Sequence, residues 1–164
     1  MVNSRSGMSI VEVVISLLVI ALMAAAGLNA AGQGARTRLA AEERASAQVL
    51  ASALLAEILG HPYRESPTAL GPDAGESTTN RATFDDVDDY SAYTQSPPAS
   101  VDGTPLASAA WRWKVDVAWV TGTNLSSTVF ETGRKRVTVT ITHNNRTVAE
   151  LSGFCSYIFE ESFQ

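Results

Sequence analysis

The chain has 164 residues, 45% of them apolar, and a formal charge of −5. That suits one modest domain, and it excludes the broad basic surface with which proteins grip nucleic-acid backbones. The one cysteine, Cys155, cannot close an intramolecular disulfide and reads as a small apolar strand residue.

The first element is an apolar run, "MSIVEVVISLLVIALMAAAGL", at residues 8–28. About 20 such residues cross the hydrocarbon core of a bilayer as a helix. Arg5 precedes the run, and Arg36 and Arg38 follow only after a polar gap, so the charge flanks place the N-terminus in the cytoplasm and the following domain outside. Glu12 is the anomaly, because a carboxylate at membrane depth costs about 3 kcal/mol or more. A secretory signal peptide cut near Ala26 and a plain uncleaved anchor both fit the run, but neither gives Glu12 a purpose.

"SGMSIVEVV" resembles the N-terminus of type IV prepilins and type II secretion pseudopilins: a short leader ending in glycine, an immediate apolar helix, and glutamate as the fifth mature residue. The resemblance implies cleavage between Gly7 and Met8 by a membrane-embedded prepilin peptidase, N-methylation of Met8, and an assembly role for Glu12. In that family the glutamate of one subunit pairs with the new amino terminus of its neighbour, and a buried carboxylate and cation are tolerable mainly as partners. The implied partners are other pilin or pseudopilin subunits, the peptidase, the inner-membrane assembly platform and, before assembly, the lipid bilayer.

Beyond a glycine-rich patch with Gly27, Gly32 and Gly34, a candidate bend or melted segment, helical spacing resumes. Ala47, Leu50, Ala51, Leu54 and Ile58 form one apolar stripe, opposed by a charged face with Arg38, Glu42 and Glu43. Gly60 and Pro62 supply the stop signal, so a single helix is expected from about Met8 to Leu59.

Residues 61–110 are rich in Pro, Ser, Thr, Gly and Asp and read as surface loop with at most one short element. Asp85, Asp86, Asp88 and Asp89 are candidate oxygen ligands for calcium, but the alternating ligands and closing glutamate of an EF-hand loop are missing, and no metal site is assigned. The preferred reading has Phe84, Val87, Tyr90 and Tyr93 pinning a turn onto the domain while the aspartates face water. "FDDVDDY" is also similar to a segment of minor pilins of the mannose-sensitive haemagglutinin type.

In "WRWKVDVAWV" Trp111, Trp113, Val115, Val117 and Trp119 share one face of a half-buried strand. The tryptophans read as core rather than as a stacking platform. "RKRVTVTIT" turns Val137, Val139 and Ile141 inward, with Arg134, Lys135 and Arg136 expected as a solvated edge. "HNNRT" is a tight turn into "VAELSGFCSYIF". Three antiparallel strands covered by the amphipathic helix make an α+β domain, as the resemblance to pilins also implies.

His61 and His143 have no ligand neighbours at metal spacing, and no nucleophile or phosphate-binding motif occurs. Neither catalysis nor a cofactor is expected. The anticipated organisation is a leader at 1–7, a transmembrane or filament-core helix at 8–28, an amphipathic helix at 29–60, a loop region at 61–110 and a sheet at 111–164. The function expected from the resemblance is a minor-pilin or pseudopilin subunit, with a membrane-anchored or secreted binding domain as the alternative.

Overall fold

Good helix formers fill most of the first third of the chain, and in the computed structural model they form one helix, α1 (Ile10–Ile58). The structure describes residues 9–63, 70–73, 75–122 and 124–157. The chain divides into two units, Met1–Glu42 and Glu43–Gln164.

Within the first unit the helix continues through Gly27, Gly32 and Gly34, as the single-helix expectation requires, and the candidate melted segment is not formed. Glycine raises the cost of a helix by roughly 1 kcal/mol per residue, but unlike proline it keeps its N–H donor. The ladder is therefore weakened there without being interrupted.

The second unit is a helix on a sheet. Strands β1 (Thr94–Gln95), β2 (Trp111–Val120), β3 (Ser127–Thr128), β4 (Arg134–His143) and β5 (Arg146–Ser156) pair antiparallel in the order β1-β2-β4-β5, with β3 also on β2. The register sets Trp113 opposite Ile141, Val115 opposite Val139 and Val117 opposite Val137. Ala47, Leu50, Ala51, Leu54 and Ile58 of α1 are buried in one cluster with these residues, which confirms the stripe and its target. The α+β architecture is thus the one anticipated, with two short strands added at the outer edge of β2. Trp113 is core, whereas Trp119 is only half-buried and its neighbour Val120 is buried instead.

Two local features fix this packing. Asn144 and Asn145 adopt φ of 50° and 62°, left-handed values that asparagine tolerates and that a two-residue hairpin needs. Gly153 on β5 lies under the end of α1: a Cβ there would come within 2.6 Å of Leu59 Cδ1. The missing side chain is what allows the helix end to approach the strand.

Candidate functional site

Gly7 and Met8, the expected processing site, lie outside the described residues. Glu12 is exposed in the first turn of α1; its N–H bonds the Ser9 carbonyl at 3.0 Å, and its own carbonyl accepts the Ser16 hydroxyl at 2.8 Å. Ser16, a second polar residue within the helical part of the run, thus turns its hydroxyl back onto the helix ladder. Around them Ile10, Val14, Leu17, Leu18 and Met23 are more than half exposed, and no residue of 9–39 is buried or even half-buried. A helix that is apolar on every side belongs in a non-aqueous environment. This one is long and apolar enough to cross a membrane, with a mean hydropathy of 2.6 in its most apolar window and none of that window covered by the chain itself.

The acidic run departs from expectation. Phe84, Val87, Tyr90 and Tyr93 are buried as anticipated, with Phe84 edge-on to Tyr90 and Tyr93 at centroid distances of 4.9 and 5.4 Å. Asp85 is exposed, but Asp86, Asp88 and Asp89 are buried rather than facing water. The reason lies in the backbone of the tight turn. Asp89 Oδ2 accepts the amides of Asp85 (2.8 Å) and Asp86 (3.2 Å), while Asp86 Oδ1 accepts those of Asp88 and Asp89. These carboxylates cap amides that burial would otherwise strand.

Asp88 has a different partner. Its Oδ1 lies 2.6 Å from Nζ of Lys135, a residue with no exposed surface, so the anticipated solvated basic edge is corrected at its central residue. Alternation along β4 puts Lys135 on the same face as Val137, Val139 and Ile141, and its ammonium also donates to the Tyr63 carbonyl at 2.5 Å and sits 3.8 Å from the Tyr63 ring centroid. Burial pushes the Asp88 carboxyl up to about 6, against the opposing pull of Lys135. Arg134 remains exposed, and Arg136 reaches Ser127 Oγ at 2.8 Å.

The four aspartates therefore do not converge as one ligand set. Carboxylate oxygens of Asp85 and Asp89 do gather with one from Glu76, all within 4.8 Å of one another. The Asp73 amide pulls the Glu76 carboxyl down, but contact with Asp89, burial and the charge of Asp85 outweigh it, and the net shift is upward.

A second polar cluster, which sequence reasoning missed, links α1 to the turns. Glu57 Oε1 accepts the Tyr90 hydroxyl (3.0 Å) and faces Arg81 Nε (3.0 Å), and His61 Nε2 is 3.2 Å from the same hydroxyl. Burial first, and then Glu57, raises the Tyr90 pKa, so the phenol stays a donor. Farther up the helix, Glu43 takes His143 Nδ1 (2.7 Å) and Arg146 (2.8 Å) on its two oxygens.

The fold and these clusters define an α+β domain whose chain also carries an exposed apolar helix. No protein-family model, curated protein or solved structure matches the chain.

Proposed function

We propose that this protein is a type IV pilin-like subunit of the minor-pilin or pseudopilin kind, and that it works by assembling. The observation that carries this reading is Glu12: a carboxylate in the first turn of an otherwise apolar, uncovered helix, five residues after Gly7. Read as an anchor alone, the helix bears a costly defect. Read as a processed subunit, it bears a partner for an ammonium group that cleavage creates.

In this reading the precursor is held in the bacterial cytoplasmic membrane by the helix, with its C-terminal domain outside. Prepilin peptidase cuts between Gly7 and Met8 and methylates Met8. The assembly platform then moves the subunit from lipid into a pilus or secretion pseudopilus. About a dozen large apolar side chains along the helix are uncovered. At roughly 2 kcal/mol each, keeping them out of water is worth on the order of 20 kcal/mol, enough to require that lipid or neighbouring helices always cover them.

Mass spectrometry of the mature N-terminus tests the processing. Methylated Met8 is the expected first residue; Gly27 in that place indicates a secreted binding domain, and retained Met1 a plain anchor. Glu12→Ala tests the assembly role. Losing one partner of a buried charge pair costs about 3 kcal/mol, so filament incorporation is expected to fall by about a hundredfold. Unchanged incorporation would remove the pairing from the proposal.

A further inference from the structure

Alternation decides which backbone groups of β5 are used inside the sheet. The Tyr157 N–H donates to the Gly133 carbonyl at 3.1 Å, and the register runs on from that pair through Lys135 opposite Cys155, Val137 opposite Gly153 and Val139 opposite Leu151. In an antiparallel ladder every second residue turns both its N–H and its C=O toward the neighbouring strand. The odd-numbered residues of this stretch therefore bond β4, and Glu150, Ser152, Phe154 and Ser156 turn both groups away from it. β5 is the last strand of the sheet, and no described residue pairs with its outer edge.

The two sides of the sheet differ in how they discourage pairing. On the far side β1 and β3 are two residues each, and β1 runs through Ser96 into Pro97 and Pro98, which have no N–H to offer. Short strands, prolines and charges are how proteins keep a sheet edge from pairing with other chains. β5 has 11 residues, no proline, and one charge between Thr147 and Ser156. Its register shift, at Ile141/Thr142, lies at the hairpin end and leaves the stretch from Ala149 onward regular. So long and unguarded an edge is a template for a further strand, and its complement is an extended backbone rather than a small molecule or a sugar.

Side chains narrow the partner. Glu150, Ser152 and Phe154 stand opposite Thr140, Thr138 and Arg136, on the face away from α1, and all three are exposed. Glu150 has no ion pair among the described residues, and the cation in its row, Lys114, is two strands away across Thr140. A strand laid beside β5 brings its own side chain to about 5 Å from Glu150, close enough for a basic residue to supply the missing countercharge. Four positions away on the same strand, an apolar residue covers Phe154, which is 51% exposed.

We propose that the outer edge of β5 binds an extended segment of a partner protein, antiparallel to it, with a basic residue opposite Glu150 and an apolar residue opposite Phe154. The site lies wholly within the sheet-bearing unit, and its test does not depend on how the N-terminus is processed. The full chain is placed in lipid nanodiscs and titrated with acetyl-Thr-Val-Leu-Val-Thr-Val-Lys-Thr-amide, following amide hydrogen exchange by NMR. Saturable binding below about 1 mM is expected, with exchange at Ser152 and Phe154 slowed about tenfold at saturation. N-methylation of the probe at its leucine and central threonine, whose amides face β5, is expected to abolish binding; N-methylation at its second and third valines, whose amides face away, is expected to leave it. Ser152→Pro removes one outward amide at a position where an edge strand accepts proline, and is expected to weaken binding about tenfold. Glu150→Lys is expected to weaken it about threefold, and a probe with glutamate in place of lysine to recover the loss. No saturation by about 5 mM probe, or equal binding by the probe methylated at leucine and threonine, would overturn the proposal. So would slowing at Ser152 and Phe154 that grows with protein concentration in the absence of probe, because that outcome hands the edge to a second copy of the chain.

Discussion

Lys135→Met removes a buried cation and leaves Asp88 facing an apolar side chain. At 2.6 Å the pair attracts by about 6 kcal/mol at an effective dielectric near 20, but each ion has given up several kcal/mol of hydration to reach its place. Removing one partner of such a pair is expected to cost about 3 kcal/mol at pH 7.5. That cost depends on pH in a defined direction. Asp88 titrates at about 6 in the folded protein against 3.8 when unperturbed, so folding takes up a proton between those values and this group's contribution to stability falls as pH rises through them. At pH 5 Asp88 is already neutral in the parent, and the same substitution removes a cation beside an uncharged acid. The expected penalty there is under about 1 kcal/mol. Urea unfolding of the full chain in nanodiscs, followed by tryptophan fluorescence at the two pH values, reads the difference. The companion variant Lys135→Met/Asp88→Leu is expected to recover most of the loss at pH 7.5. A penalty equal at both pH values, or a double variant no better than the single one, would refute the coupling.

Three further outcomes are expected. Leu54→Ala, at a helix position 1% exposed and central to the stripe, should cost about 2–5 kcal/mol in the same unfolding assay. Gly153→Val puts a branched side chain where even a Cβ comes within 2.6 Å of Leu59, and should cost about 1–3 kcal/mol; pairing it with Leu59→Ala should return part of the loss. The Glu43 carboxyl is held below its ordinary 4.5 by hydrogen bonds from His143 and then Arg146, so its stabilisation is full above that value and disappears as acidification protonates it. Glu43→Gln should accordingly flatten the acid limb of a stability profile, a change visible in urea midpoints between pH 5 and about pH 3.

Period and punctuation made much of this architecture legible in advance. Helical spacing named all five core residues of α1, alternation named the facing valines and Ile141, and "HNNRT" marked the hairpin. What escaped was local hydrogen bonding and long-range charge pairing. Strands of two residues, such as Thr94–Gln95 and Ser127–Thr128, carry no period at all. The aspartates read as solvated because composition says nothing of the turn amides they cap. Lys135 was within reach: carrying the β4 alternation one step back from Val137 places a lysine inward, and the acidic run is the obvious countercharge. Arg81 and Glu57 gave no such sign, since 24 residues separate them and neither breaks a pattern.

Among the described residues, the buried hydrophobic core has no member before Ala47. Substitutions in the apolar stretch at 10–28 consequently leave the folding of the sheet-bearing unit untouched, while substitutions in that unit leave the lipid affinity of the stretch untouched. One part of the chain is free to drift with whatever non-aqueous surroundings cover it, the other with whatever it meets in water, and a change in either need not be matched by a repair in the other.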